Sequence, residues 1–109
     1  MPDRWRRTSG LTRLVAEGGL SLDGIDVKKE AIVQGQVTRE GEPDGNAYVR
    51  LLDRTGEFTA EVPTNDRGQF RFFAGDGEWT LRTLAPKADP VDRKVRAAVG
   101  SVAEVAVAI

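Results

Sequence analysis

No cysteine occurs in the chain. Disulfides therefore cannot staple the core, and no thiolate is available for nucleophilic chemistry or metal ligation. Histidine is also absent, which excludes any mechanism resting on an imidazole base or an imidazole metal ligand. No apolar run reaches the length of a membrane span. Arg4, Arg6 and Arg7 open the N-terminus, but the following group, Leu11 to Glu17, is interrupted by Arg13 and lacks the continuous apolar region of a secretory signal. A cytoplasmic protein without a membrane segment is the expectation. An excess of positive charge is missing too: sixteen basic residues face seventeen acidic ones, for a net charge of -1. That balance removes the broad field of a general nucleic-acid binder, so no nucleic-acid partner is expected.

What remains is enough for one small domain. A chain of 109 residues with 39% hydrophobic content can build one core with little stability to spare. Residues 1–27 are the least regular part and read as an N-terminal arm. Ser9 can cap a short helix over residues 10–17, ended by Gly18 and Gly19, with Leu11, Leu14 and Val15 on one face. The alternative is a loose arm whose leucines only touch the domain. Residues 28–109 read as a single β-sandwich.

Period-two alternation carries that reading. Glu30 to Arg39 forms the first strand, with Val33, Gly35 and Val37 on one face; Gly35 permits close approach of a neighbouring strand. Gly41 to Asn46 turns the chain. Ala47, Val49 and Leu51 then face one side, and Tyr48, Arg50 and Leu52 the other. Phe58, Ala60 and Val62 continue the alternation up to Pro63, which ends the strand or marks an edge. In the turn Thr64 to Gly68, Asp66 is suited to accept local backbone N–H bonds. Phe70 and Phe72 point inward, and Trp79 and Leu81 oppose them across Gly75–Asp76–Gly77. Val91, Val95, Ala97 and Val99 share parity in a charged strand. Val105, Val107 and Ile109 close the pattern. The predicted core is Val33, Val37, Val49, Leu51, Phe70, Phe72, Trp79 and Leu81. About seven antiparallel strands packed as two sheets are the physical solution, since a single sheet would leave an apolar face in water.

These residues carry a resemblance. Gly35–Gln36–Val37, Ala47–Tyr48–Val49, Thr64 to Phe70 and Gly77 to Leu81 resemble the regulatory-like domains of carboxypeptidases and the transthyretin-like, or prealbumin-like, sandwiches. Over Gly24 to Leu84, the strings Asp26 to Glu30, Val49 to Asp53, Gly56 to Val62, Phe70 to Ala74 and Trp79 to Arg82 resemble a small actinobacterial family of unknown function. Its members are sometimes labelled putative sulfur-metabolism proteins and tend to be encoded beside thiosulfate sulfurtransferases. The resemblance implies an accessory role and a sulfurtransferase as candidate partner. Members of that family often carry a cysteine near the N-terminus, and this chain has none. Direct sulfur carriage is therefore not expected of it.

No residue set specifies chemistry. Asp66 and Asp76 are the acidic pair best suited to a hard cation, but both lie in glycine-containing turns that explain them locally, so no metal and no cofactor is expected. Glu57 and Glu61 fall on a solvent face beside no partner, so no catalytic residue is assigned. Arg71, Arg82, Lys94 and Arg96 would form a basic patch only if their strands were neighbours. Phe73 has the outward parity. It covers a sheet edge, packs under the arm, or meets a partner, with cover inside the chain the favoured reading. The leading expectation is a non-catalytic protein-binding module whose partner surface includes Tyr48, Phe73, Arg4, Arg6, Arg7 and an exposed sheet edge. Self-association through such an edge is a further expectation. The alternatives are a small-molecule or carbohydrate-binding accessory domain, with an aromatic groove at Tyr48 or Phe73, and a carboxylate-dependent enzyme.

Overall fold

The computed structural model describes residues 20–109. Eight strands follow one another: β1 (Ala31–Arg39), β2 (Glu42–Pro43), β3 (Tyr48–Leu52), β4 (Phe58–Pro63), β5 (Gln69–Ala74), β6 (Gly77–Leu84), β7 (Val91–Ala97) and β8 (Ser101–Ala108). The seven expected strands are joined by β2, a two-residue strand inside the predicted Gly41 turn. All are β, as the alternation requires. No helix among the described residues is long and apolar enough to cross a membrane. The proposed helix over residues 10–17 lies outside the described residues.

Two four-stranded sheets stack face to face. In the first, β1 is central, with β5 antiparallel on one side and β8 on the other. The β1–β8 pair is parallel, the one departure from the expected antiparallel pattern; every other ladder is antiparallel. The second sheet has the order β4-β3-β6-β7. Inward side chains from both sheets make one core: Val33, Val37, Val49, Leu51, Phe70, Phe72, Leu81, Ala97 and Val107 are all buried in it. Phe70 and Phe72 meet with ring centroids 6.2 Å apart, in a tilted arrangement that suits two aromatic quadrupoles.

Three expectations need correction. Strands β5 and β6 do not pair across Gly75–Asp76–Gly77: β5 pairs with β1 and β6 with β3 and β7, so the chain crosses there from one sheet to the other and Phe70 and Phe72 face Trp79 and Leu81 from opposite layers. Trp79 is half-buried against the core rather than inside it. It lies near the start of β6, where the indole N–H donates to the Gly75 carbonyl at 2.9 Å, and its body borders an open groove. Phe58 does not share the inward face of Ala60 and Val62. The β3–β4 ladder pairs Leu51 with Ala60 but Leu52 with Phe58, an irregularity that leaves Thr59 over. An extra residue in one strand reverses the facing of everything beyond it. Phe58 therefore lies 60% exposed, with the Arg50 guanidinium 5.9 Å from its ring centroid.

The loop end near β2 is tied by backbone and hydroxyl bonds. The Thr64 hydroxyl donates toward the Asp44 carbonyl and accepts from the Ala47 N–H. Gly68 has φ of +74° and packs against the Val37 carbonyl, so no side chain fits there. The local acceptor predicted at Asp66 is instead Asn65, whose Oδ1 takes the N–H groups of Arg67 and Gln69.

Candidate functional site

Besides the two-residue β2, the described residues give the sandwich four edge strands, β4 and β5 on one flank and β7 and β8 on the other. Proteins blunt such edges with proline, charge, bulges or inward-pointing ions. Strand β4 carries the irregularity at Thr59 and ends in Pro63. Strand β5 is six residues long with Arg71 at its middle. Strand β7 reads Val-Asp-Arg-Lys-Val-Arg-Ala, and its Arg93 shares the inward face, paired across the ladder with buried Leu81. Strand β8 has neither a proline, a bulge nor an inward-facing charge. It is eight residues long, contains no proline and no basic residue, and has Glu104 as its one charge.

The ladder fixes which groups of β8 are unpaired. The Ile109 N–H donates to the Thr38 carbonyl at 2.8 Å. Amides along a strand alternate in direction, so the main-chain groups of Ala103, Val105 and Val107 also point to β1. Those of Val102, Glu104, Ala106 and Ala108 point to the free edge. Among the strands, β8 is hydrogen-bonded to β1 alone.

One polar row stiffens the sheet behind this edge. Gln34 sits between Arg71 and Glu104 in register. Its Nε2 donates to the Glu104 carboxylate at 2.8 Å, and its Oε1 accepts from Arg71 Nε at 2.7 Å. Gln34 also donates to the Leu20 carbonyl, and Arg71 to the Ser21 carbonyl. These bonds and buried Leu22 fasten the described part of the arm over the outer face. With every polar atom engaged, Gln34 can be fully buried on a face that alternation would leave wet. Desolvation raises the Glu104 carboxyl above its ordinary value, against the bond from Gln34 and the attraction of Arg71. Desolvation likewise lowers Arg71, with Glu104 opposing.

The residues singled out in the sequence are not brought together. Tyr48 is 50% exposed on the outer face of the second sheet, while Phe73 is 57% exposed on the outer face of the first. Phe73 is therefore not covered as favoured: it is the outward neighbour of Ile32 on an edge strand. Arg4, Arg6 and Arg7 lie outside the described residues. Asp66 and Asp76 lie before and after β5, whose six residues span about 20 Å, so they cannot share an ion. No group of three or more potential metal-ligating side chains occurs among the described residues. Glu61 is held by Arg50 at 2.6 Å, and Glu57 sits in the β3–β4 turn. The supposed basic patch is divided: Arg71 belongs to the other sheet, Arg82 pairs with Asp92 and Arg96 with Glu78.

Two features escaped the alternation. Phe58 joins Tyr48 and Arg50 on one outer face because of the irregularity at Thr59. An open groove of about 500 Å³ lies at one end of the sandwich, lined by Asp53, Arg54, Asp76, Gly77, Glu78, Trp79 and Arg96. Asp53 and Asp76 there are committed to turn geometry. Asp53 accepts from Thr55 and Glu57, bonds that hold its carboxyl below the ordinary value, and Asp76 accepts from the Val99 N–H.

Known proteins bear out the fold and leave the activity open. Two uncharacterized proteins of Mycobacterium tuberculosis are each 49% identical over 69 residues, which make up 62% of this chain and 69% of each relative. An uncharacterized protein of Mycolicibacterium smegmatis is 49% identical over 63 residues, 57% of this chain and 70% of that one. Among solved structures, the dioxygenase domain of a dioxygenase carbohydrate-binding protein fusion from Streptomyces sp. SirexAA-E superposes with a TM-score of 0.59 at 10% identity, covering 94% of this chain and 95% of that one. A DUF3823 family protein from Parabacteroides merdae gives 0.52 at 18% identity, over 73% of this chain and 45% of that one. At such identities the likeness is one of fold. The model of the family described as a protein of unknown function, DUF1416, matches residues 15–109, and the chain belongs to that family.

Proposed function

We propose that the chain is a non-catalytic accessory module that binds a protein partner by accepting an extended segment along the free edge of β8. The observation that carries this reading is the contrast among the edges. Three are blunted by Pro63, Arg71 or Arg93, and the fourth presents a largely apolar strand of eight residues with one row of main-chain groups that pair with no other strand among the described residues. Strand addition draws affinity from such groups and specificity from alternate side chains. Catalysis has no comparable support. The acids near the groove are tied to backbone N–H groups or to arginine.

A thiosulfate sulfurtransferase in the cytoplasm is the candidate partner, on the strength of the family resemblance in the strings quoted above. Co-expression of the tagged chain with such an enzyme tests both parts. Capture of the enzyme by wild type and its loss in Ala106→Pro is the expected result, because that proline removes a donor only from the free side. A sulfurtransferase that never co-purifies would remove it as the partner. Equal capture by the proline variant would remove the edge.

The second reading, a small-molecule or carbohydrate site, is favoured by one observation: the groove sets the half-buried Trp79 among acidic and basic side chains. An aromatic body flanked by donors and acceptors suits a polyhydroxylated ligand. Calorimetric titration with neutral oligosaccharides, repeated on Trp79→Ala, distinguishes it from the first.

A further inference from the structure

Resting on the edge-binding reading, we infer that the segment accepted by β8 is acidic, with a carboxylate on the side turned toward β7 that Arg93 holds. Strands β7 and β8 belong to different sheets but lie side by side on one flank of the sandwich. A chain added to β8 therefore turns every second side chain toward β7. Arg93 has the inward parity, in register with fully buried Leu81, yet it is exposed. Inward parity combined with exposure on an edge strand fits a side chain that leaves the interior by the open flank, the flank β7 shares with β8. Counted from the turn residue Val99, Arg93 lies as far back along β7 as Val105 lies forward along β8. By this count the Arg93 position stands level with the middle of β8. The guanidinium has no hydrogen-bond or ion-pair partner among the described residues, whereas Arg82 and Arg96 on the same sheet are paired with Asp92 and Glu78.

The outer side of the same edge has the opposite character. Glu104 faces outward there, held by Gln34. A carboxylate on the outer side of an incoming strand would meet a like charge; one on the inner side would meet Arg93. The edge therefore reads orientation as well as charge. A second copy of this chain fits poorly. The inward residues of its β8 are Ala103, Val105 and Val107, which offer Arg93 no anion, and pairing two copies edge to edge would bring their cationic β7 strands together. The occupant is a different chain with an extended acidic segment.

Blocked eight-residue peptides that alternate threonine with valine provide the probe, with the central valine replaced by glutamate, glutamine or lysine. Titration into the full chain, followed by amide shifts, should give affinity in the order glutamate, glutamine, lysine, with about two- to five-fold between the first two, as for a solvent-exposed ion pair. Arg93→Glu should reverse the order, and Ala106→Pro should abolish binding of all three. Equal affinities, or an order unchanged in Arg93→Glu, would overturn the acidic preference while leaving the edge as a binding site. Failure of all three peptides to bind wild type would overturn both. Sedimentation showing a dimer that Ala106→Pro dissociates would replace the acidic chain with a second copy and overturn the inference.

Discussion

Gly35 faces the carbonyl oxygen of Val105 across the parallel β1–β8 pair so closely that a β-carbon on Gly35 would lie far inside van der Waals contact with it. The ring of Phe70 closes the other side, 3.1 Å from the same point. The glycine predicted to admit a neighbouring strand thus admits β8, the strand proposed to receive the partner. Gly35→Ala should destabilise the domain by about 3 kcal/mol or more, because a backbone carbonyl and a buried ring must both yield. Urea unfolding measures this. Stability within 1 kcal/mol of wild type, on the order of ordinary surface changes, would mean that β8 is not seated as described.

The aromatic residues of β5 and β6, which belong to different sheets, should differ in sensitivity. Phe70 is 2% exposed, and Phe70→Ala should cost about 4 kcal/mol; half-buried Trp79→Ala should cost about 3 kcal/mol, near the low end for aromatic truncation. Thermal melts of the pair should therefore rank Phe70→Ala below Trp79→Ala. The reverse ranking would contradict the placement of the indole at the groove.

Thr83 is 1% exposed on the inner face of β6, and its hydroxyl has no hydrogen-bond partner among the described residues. A buried hydroxyl without a partner carries its desolvation penalty uncompensated. Thr83→Val keeps the shape and removes the oxygen, so denaturant midpoints should show a gain of about 1 kcal/mol. A loss of similar size would reveal a partner for the hydroxyl.

Glu104 gives the domain a pH dependence of definite sign. Its folded-state pKa is raised above the ordinary 4.5 by desolvation. The folded protein then keeps a proton that the unfolded chain has released. Its stabilising contribution is full below the unfolded value and disappears as pH rises through the raised folded value. Glu104→Gln lacks that loss and can still accept from Gln34. Paired urea melts at acid and neutral pH should show the variant gaining on wild type as pH rises. A gap that is constant with pH would contradict the shielding of this carboxylate.

Much of this architecture is legible in the sequence because burial alternates along each strand. Val33, Val37, Val49, Leu51, Phe70, Phe72 and Leu81 occupy the interior that period two assigns them. Phe58 departs from the face that alternation assigns it because one leftover residue at Thr59 inverts the strand, and no propensity marks that position. Buried Gln34 was invisible for another reason: its partners Arg71, Glu104, Leu20 and Ser21 are scattered along the chain and meet only after pairing. The edge was legible as composition, a C-terminal strand without proline or basic residues, but not as an edge. Sheet order decides that, and alternation carries no information about which strand has one neighbour. The parallel β1–β8 pairing belongs to the same class of long-range fact.

Hydrogen–deuterium exchange along β8, read residue by residue with and without a bound partner or the glutamate peptide, tests the central claim most directly. In the free chain, the amides of Ala103, Val105 and Val107, bonded to β1, should exchange slowly, and those of Val102, Glu104 and Ala106 quickly. Binding should slow the second set by at least about ten-fold while leaving the first set unchanged, the signature of a strand added at the free edge. Protection that instead falls on the Tyr48 and Phe58 face or around Trp79, with Val102, Glu104 and Ala106 still fast, would contradict it.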